Sequence, residues 1–272
     1  MAFSTQTAIL LVLIGFAVGA FGTVVGAGGG FILTPILLLL YPHESAQTLT
    51  AISLTVVFFN ATSGSVAYAR QRRIDYRSGT IFALATVPGA IGGALVVGVV
   101  SRQVFDAIMG VVLAALAVWL IAGERWPLRE PRGYLERRVL TDGAGETYEY
   151  GVPVIRGAVY SLGVGFLSSF LGIGGGVIHV PLLVRALGFP THLATATSHF
   201  VLAIMAGTGT ITHLVIGSFH HHGLRRTIAL SVGVVAGAQL GAHISLRLHG
   251  RVIHRLLAIA LLALAARLLV GA

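Results

Sequence analysis

The sequence predicts an all-α integral membrane protein of about eight transmembrane helices in two homologous four-helix repeats. Three observations predict it. Of 272 residues, 56% are hydrophobic and only 10% charged, and the mean hydropathy is +0.90, the profile of a chain that lives in a bilayer. Two apolar runs long enough to cross that bilayer are interrupted by glycine clusters, Gly26-Ala27-Gly28-Gly29-Gly30 and Gly172-Ile173-Gly174-Gly175-Gly176. The interruptions also recur in register: Gly26, Gly28, Gly30 and Pro35 precede Gly172, Gly174, Gly176 and Pro181 by 146 residues each. Thr50-Ala51-Ile52-Ser53 matches Thr195-Ala196-Thr197-Ser198 at 145, and Gly89 and Gly93 match Gly237 and Gly241 at 148. The expected division is 1–122 for the first repeat, 123–152 for a cytoplasmic linker and 153–272 for the second repeat.

The breaks carry the functional reading. Glycine costs about 1 kcal/mol relative to alanine in a helix interior, so three in a row mark a deliberate interruption. Unpaired backbone is costly in lipid, so an interruption survives only inside protein or beside a water-filled cavity. The helical piece from Val177 to Leu187 then offers free N–H groups and the positive end of a dipole, which favour an anion. Pro181 is expected to delay or kink its restart. Paired glycine-interrupted segments in corresponding halves point to a transporter binding site.

The elements follow in order. Met1 to His43 contains no Asp, Glu, Lys or Arg. Its start passes for a signal peptide ending near Ala17-Val18-Gly19-Ala20, but it lacks a positive n-region and is the counterpart of the segment before the second break. It reads as a first helix from about Thr5, the break, and a short piece to Tyr41. Ser45 to Ala69 is a second span that ends in Arg70-Gln71-Arg72-Arg73, a cytoplasmic signal. Ser78 to Val100 is a third, whose run Gly89-Ala90-Ile91-Gly92-Gly93-Ala94 suits close helix packing. Val104 to Ala122 is a fourth, with Asp106 at the membrane interface. Gly123 to Val152 is hydrophilic, with a turn at Thr141-Asp142-Gly143-Ala144-Gly145. The second copy repeats the plan: a broken helix from Val154 to Leu187, a sixth span from Thr191 to Gly217, then Thr227 to Leu246 and Val252 to Val270. His220-His221-His222 reads as a solvated loop. Arginines after spans two, four and six place both termini in the cytoplasm, in a bacterial inner membrane. Arg247, Arg251 and Arg255 disagree with that count.

Composition excludes several classes. The absence of cysteine removes disulfides, thiolate catalysis and cysteine metal sites. The net charge of +9 does not imply nucleic acid, because the arginines sit at helix ends with no interleaved aromatic face. The last of nine acidic residues is Glu149, so the second repeat has no side-chain carboxylate with which to attract a cation. No cofactor and no metal site is expected. A channel would also use glycine breaks. An intramembrane enzyme would need HExxH, GxSxG or a carboxylate pair, and none occurs in the spans.

The glycine break followed by proline, the Thr-Ala-x-Ser run in the next helix and the duplicated hydropathy together resemble the TauE/SafE sulfite exporter family, also called the toluene sulfonate uptake permease family. The resemblance covers nearly the whole chain outside 123–152. It implies a secondary transporter of sulfur-containing anions such as sulfite, thiosulfate or organosulfonates.

An oxyanion needs N–H and O–H donors without so much positive charge that it cannot leave. Backbone around Gly26, Gly28, Gly29 and Gly30, and around Gly172, Gly174, Gly175 and Gly176, is expected to supply donors near the midplane. Hydroxyls of Thr50, Ser53, Thr197 and Ser198 join them, and the amides of Asn60 and Gln239 either touch substrate or tie helices together. His179, His199, His213 and His243 are the candidates for proton coupling, because imidazole titrates near neutrality. His199 leads, since it adjoins Thr197 and Ser198. The expected partners are a small anion, the bilayer and any coupled proton.

Overall fold

In the computed structural model the described residues are 4–123, 135–219, 223–245, 258–259, 261–263 and 265–266. They form nine α-helices: α1 (Thr5–Val24), α2 (Gly30–Leu40), α3 (Ala46–Arg70), α4 (Tyr76–Val96), α5 (Arg102–Gly123), α6 (Val154–Leu171), α7 (Gly176–Ala186), α8 (Thr191–Val215) and α9 (Gly223–Ser245). Seven are long and apolar enough to cross a membrane, while α2 and α7 are not. At 11 residues each, the short pair reach about 16 Å, half a bilayer. Apart from its helical fragments between 258 and 266, the expected span Val252–Val270 lies outside the described residues. So do the His220–His222 triplet and Arg247, Arg251 and Arg255.

Side-chain caps start several helices: Ser4 accepts from the Thr7 N–H, Ser45 from that of Thr48 and Asp75 from that of Ser78. Small residues then let helix pairs close. A Cβ on Gly237 or Gly241 of α9 would strike the carbonyl of Phe16 or Ala20 in α1, and one on Gly89 or Gly93 of α4 would strike that of Leu162 or Phe166 in α6. The packing role expected of the Gly89–Ala94 run is what the structure shows.

Helix directions decide the architecture. α3 ends at a basic end marked by Arg70, Arg72 and Arg73. α9 runs parallel to α3, from Gly223 beside Thr48 to Ser245 bonded to the Tyr68 hydroxyl. α1 runs parallel to α9, with Gly15 on Leu230 and Gly19 on Val234, so it starts at the end opposite the arginines. α2 then turns back: Thr34 bonds Ser53, and Arg102 reaches the carbonyls of Leu38 and Glu44 where α3 begins. The α1–α2 pair therefore enters and leaves on one side. α6 and α7 do the same from the basic end, where Phe189 packs on Tyr150. α8 runs antiparallel to α3, with Gly64 on His199 and Ser218 bonded to Thr48.

The broken segments are thus re-entrant hairpins, and the two copies are inverted. The sequence leaves open whether each broken helix crosses or re-enters, and both re-enter. One expectation is corrected, since the start of α1 does not share the Arg70–Arg73 side. The reason is local: Gly26, Gly28 and Gly29 have φ of 76°, 73° and 79°, and Gly172 and Gly174 have 67° and 68°, left-handed conformations that reverse the chain. Pro35 and Pro181 fall inside α2 and α7 without delaying either start.

The hydrophilic segment contains an antiparallel hairpin, β1 (Glu136–Thr141) and β2 (Thr147–Val152), around the expected turn. It clamps the α3–α4 connection at the basic end. Arg73 pairs with Asp142 at 3.1 Å, the Gly143 N–H donates to the Gln71 carbonyl at 2.8 Å, and the Tyr150 hydroxyl donates to Asp75 at 3.1 Å. The opposite end has its own polar clamp, with Arg226 paired to Glu44 at 2.9 Å and stacked 3.8 Å over the Tyr41 ring. Asp106 there pairs with Arg102 at 2.9 Å.

Candidate functional site

The tips of the two hairpins meet at mid-height of the bundle. Gly28 lies against Val57 and Leu202, Gly174 against Val57, and Gly175 against Met205, all near the middles of α3 and α8. The tips also touch each other. A Cβ on Gly30 would lie 2.6 Å from the Ile173 carbonyl carbon and 2.7 Å from the Gly172 oxygen, and one on Gly176 would strike the Gly26 oxygen and lie 2.6 Å from the Ala27 Cα. The offset of 146 maps each contact onto the other, so the tips are related by a local two-fold.

Each short helix begins with donors unspent. The N–H groups of Ile32 and Leu33 return to the Gly29 carbonyl, and those of Ile178 and His179 to the Gly175 carbonyl. The N–H groups of Gly30, Phe31, Gly176 and Val177 stand in first-turn positions with no carbonyl to receive them. Two helix N-termini therefore bring four backbone donors and two positive dipole ends to mid-height.

Most of the expected hydroxyls are used in holding this geometry. Ser53 and Thr34 each lie 2.7 Å from the Gly172 carbonyl. Thr50 donates to the Ala46 carbonyl one turn back, and Thr197 accepts from the Asp75 N–H at 3.0 Å. Ser198 is held loosely, 3.5 Å from the Gly26 carbonyl. Thr23 donates to Asn60 Oδ1 at 2.7 Å, while Asn60 Nδ2 is buried without a partner.

The histidines divide. His179 is buried on the first turn of α7, with Nε2 3.2 Å from Ser161 and Nδ1 unpartnered. His199 is buried against Gly64 and the Tyr68 ring, with no hydrogen bond of good geometry at either nitrogen. His213 bonds Ser218 at 2.9 Å and closes the far end of α8. His243 and Gln239 are exposed on α9, where Gln239 donates to Ser63 at 2.8 Å and ties α9 to α3. The fold therefore leaves His213, His243 and Gln239 away from the breaks. Beside the α7 tip lies a crevice of about 160 Å³ between atoms, too narrow for a water molecule, lined by Thr86, Val164, Gly175, Gly176, His179 and Ser198 among others. The sequence reading did not single out Thr23, Thr34, Thr86 or Ser161. For Thr23 and Thr34 the signal was their place three residues before and four residues after a glycine break.

Comparison with known proteins decides the family. The profile described as sulfite exporter TauE/SafE matches residues 11–268. The chain belongs to the TauE/SafE sulfite exporter family. It is accordingly a membrane transporter and not an enzyme. Its relatives include the "Probable membrane transporter protein YunE" of Bacillus subtilis, 30% identical over 269 residues that cover 96% of this chain and 97% of that one. A "Probable membrane transporter protein" of Haemophilus influenzae is 27% identical, covering 98% and 96%, and one of Methanocaldococcus jannaschii is 26% identical, covering 87% and 85%. No solved structure matches significantly. In this TauE/SafE chain the irregular backbone of both breaks is enclosed by protein at mid-height of the bundle.

Proposed function

We propose that this TauE/SafE chain is a secondary transporter of small sulfur-containing anions, of the sulfite, thiosulfate or organosulfonate class, bound at mid-height between the two glycine breaks. The observation that carries the reading is the meeting of two helix N-termini whose first-turn N–H groups of Gly30, Phe31, Gly176 and Val177 have no backbone acceptor. Charge supports it, because residues 150–272 contain no Asp or Glu. The repeats 1–122 and 153–272 act as two inverted gates about this point, with 123–152 joining them. Imidazole carries any proton coupling. The membrane is a bacterial inner membrane, and the positive-inside bias puts the arginine-rich end, with the hairpin, in the cytoplasm.

Purified protein in liposomes tests this with radiolabelled sulfite and thiosulfate. Unlabelled anion trapped inside should accelerate labelled uptake, and uptake should saturate. Flux without saturation or exchange would make the protein a channel. Uptake of sodium or ammonium with no response to oxyanions would overturn the proposal.

A further inference from the structure

The two breaks are related by the repeat, but their surroundings are unequal. Leu33 stands where the second copy has His179, and Gly15 where it has Ser161. Ser53 corresponds to Ser198, yet Ser53 is fixed 2.7 Å from the Gly172 carbonyl while Ser198 lies 3.5 Å from that of Gly26. Among the described residues a crevice lies beside Gly175 and Gly176 of the α7 tip; it is too narrow for water as it stands, so an anion enters it only when the surrounding side chains part. The first break has an uncommitted donor nearby, Asn60 Nδ2 beside Thr23, but among the described residues only α7 carries an unpartnered titratable nitrogen on the short helix itself.

The protons on His179 follow from counting hydrogens. Ser161 has one hydroxyl hydrogen and gives it to the Gly157 carbonyl at 2.7 Å. With that hydrogen assigned to the shorter bond, Ser161 accepts at its 3.2 Å contact with His179 Nε2. Nε2 carries a hydrogen, so in the neutral ring Nδ1 is a bare lone pair. That nitrogen has no partner, in a residue only 3% exposed that lines the crevice. His179 follows Gly176 and Val177 by three and two residues on α7 and lines the crevice with Gly176, so an anion held there would meet a bare lone pair on a neutral ring and an N–H donor on a protonated one.

We propose that the anion binds at the N-terminus of α7 and not at that of α2, and that His179 takes up a proton at Nδ1 as it binds. Ser161 is the positioning residue that fixes the tautomer and so makes the proton necessary. The inference rests on the reading of the breaks as an anion site and moves the coupling role from His199 to His179. His199 packs on Gly64 and Tyr68 of α3 and lies by the Gly26 carbonyl of the first break, away from the crevice lining. The other titratable groups on the described elements packed about His179 are Arg185 on α7, His192 and His213 on α8, Arg156 and Tyr160 on α6, and Tyr76 and Arg77 on α4, and none of them lines the crevice.

Thiosulfate and methanesulfonate keep constant charge near neutral pH, so any proton taken up on binding belongs to the protein. Calorimetry of the purified full chain in two buffers of different ionisation enthalpy counts that proton. Wild type should take up close to one proton per anion at alkaline pH, with affinity rising about tenfold per unit fall in pH while the imidazole is neutral. His179→Gln should take up none and show a flat profile, while His199→Gln should keep the proton uptake. Ser161→Ala should bind with fewer protons per anion, because the freed ring can present Nδ1–H while neutral. Wild-type proton uptake in His179→Gln, or undiminished uptake in Ser161→Ala should the first variant not fold, would overturn the proposal. Binding by wild type with no proton uptake would do the same. Failure of wild type to bind either anion, or sulfite, would instead overturn the reading of the breaks as an anion site.

Discussion

Gly175 and Gly176 are adjacent, yet one added methyl separates their roles. At Gly175, where φ is −56°, a Cβ would meet the Val164 side chain at 2.8 Å and the Met205 sulfur at 3.2 Å, both able to move. Gly175→Ala should fold with nearly unchanged thermal stability and lose transport tenfold or more, because the methyl fills the crevice. At Gly176 the Cβ meets the backbone of Gly26 and Ala27, which cannot yield. Gly176→Ala should lose about 1–3 kcal/mol of stability. Thermal unfolding beside liposome uptake separates the two, and equal stability losses would contradict the assignment. Gly29→Leu is a poor probe of the site, since φ is +79° and its Cβ would lie 2.7 Å from the Val18 oxygen. The glycines were legible because lipid tolerates broken backbone so rarely. The hydroxyls were not: Thr34 and the Gly172 carbonyl it bonds are 138 residues apart, and no local pattern announces such a partner.

At the scale of elements, the β-hairpin holds the α3–α4 connection and, through the Asp75 N–H on Thr197, the first turns of α8. Burial disfavours the Asp142 carboxylate, but N–H donors from Ala144 and Glu146 and the Arg73 guanidinium outweigh it and hold the carboxyl below its usual range. A lowered folded value means that the stabilisation is present above the ordinary Asp pKa and is lost as pH falls through the folded one. The clamp is therefore intact at neutral pH and loosens only in acid. Tyr150 lies on the other side: burial, then the charge of Asp75, push its hydroxyl up, so it remains a donor to Asp75 and is lost only as pH rises through its raised value. Asp142→Asn should speed amide exchange at Ala144 and Glu146 severalfold at pH 7 and leave exchange in α5 unchanged. Unchanged exchange at the turn would show that the clamp rests elsewhere. The turn was legible from Asp142-Gly143, but its strands were not, because segments this charged read as loop until a partner surface buries Arg138 and Val152.

For the whole molecule, hydropathy found where the chain enters lipid but not in which direction it leaves. Each broken run has the length of a crossing, and only left-handed glycines turn it into a hairpin that returns to its own side. The inverted arrangement makes a prediction that a cysteine-free chain renders clean. Ser4→Cys, beside the start of α1, and Ala144→Cys, in the hairpin turn, should react with an impermeant maleimide from opposite faces of right-side-out vesicles. Labelling of both from one face would refute the re-entrant geometry. Whether the meeting tips form the anion site is decided by placing a heavy analogue between them. Selenite mimics sulfite and scatters anomalously at the selenium edge. Crystals soaked with it should show one selenium peak within hydrogen-bonding reach of the Gly176 and Val177 N–H groups. Selenium bound elsewhere in the bundle, or no selenium between the tips at saturating concentration, would contradict it.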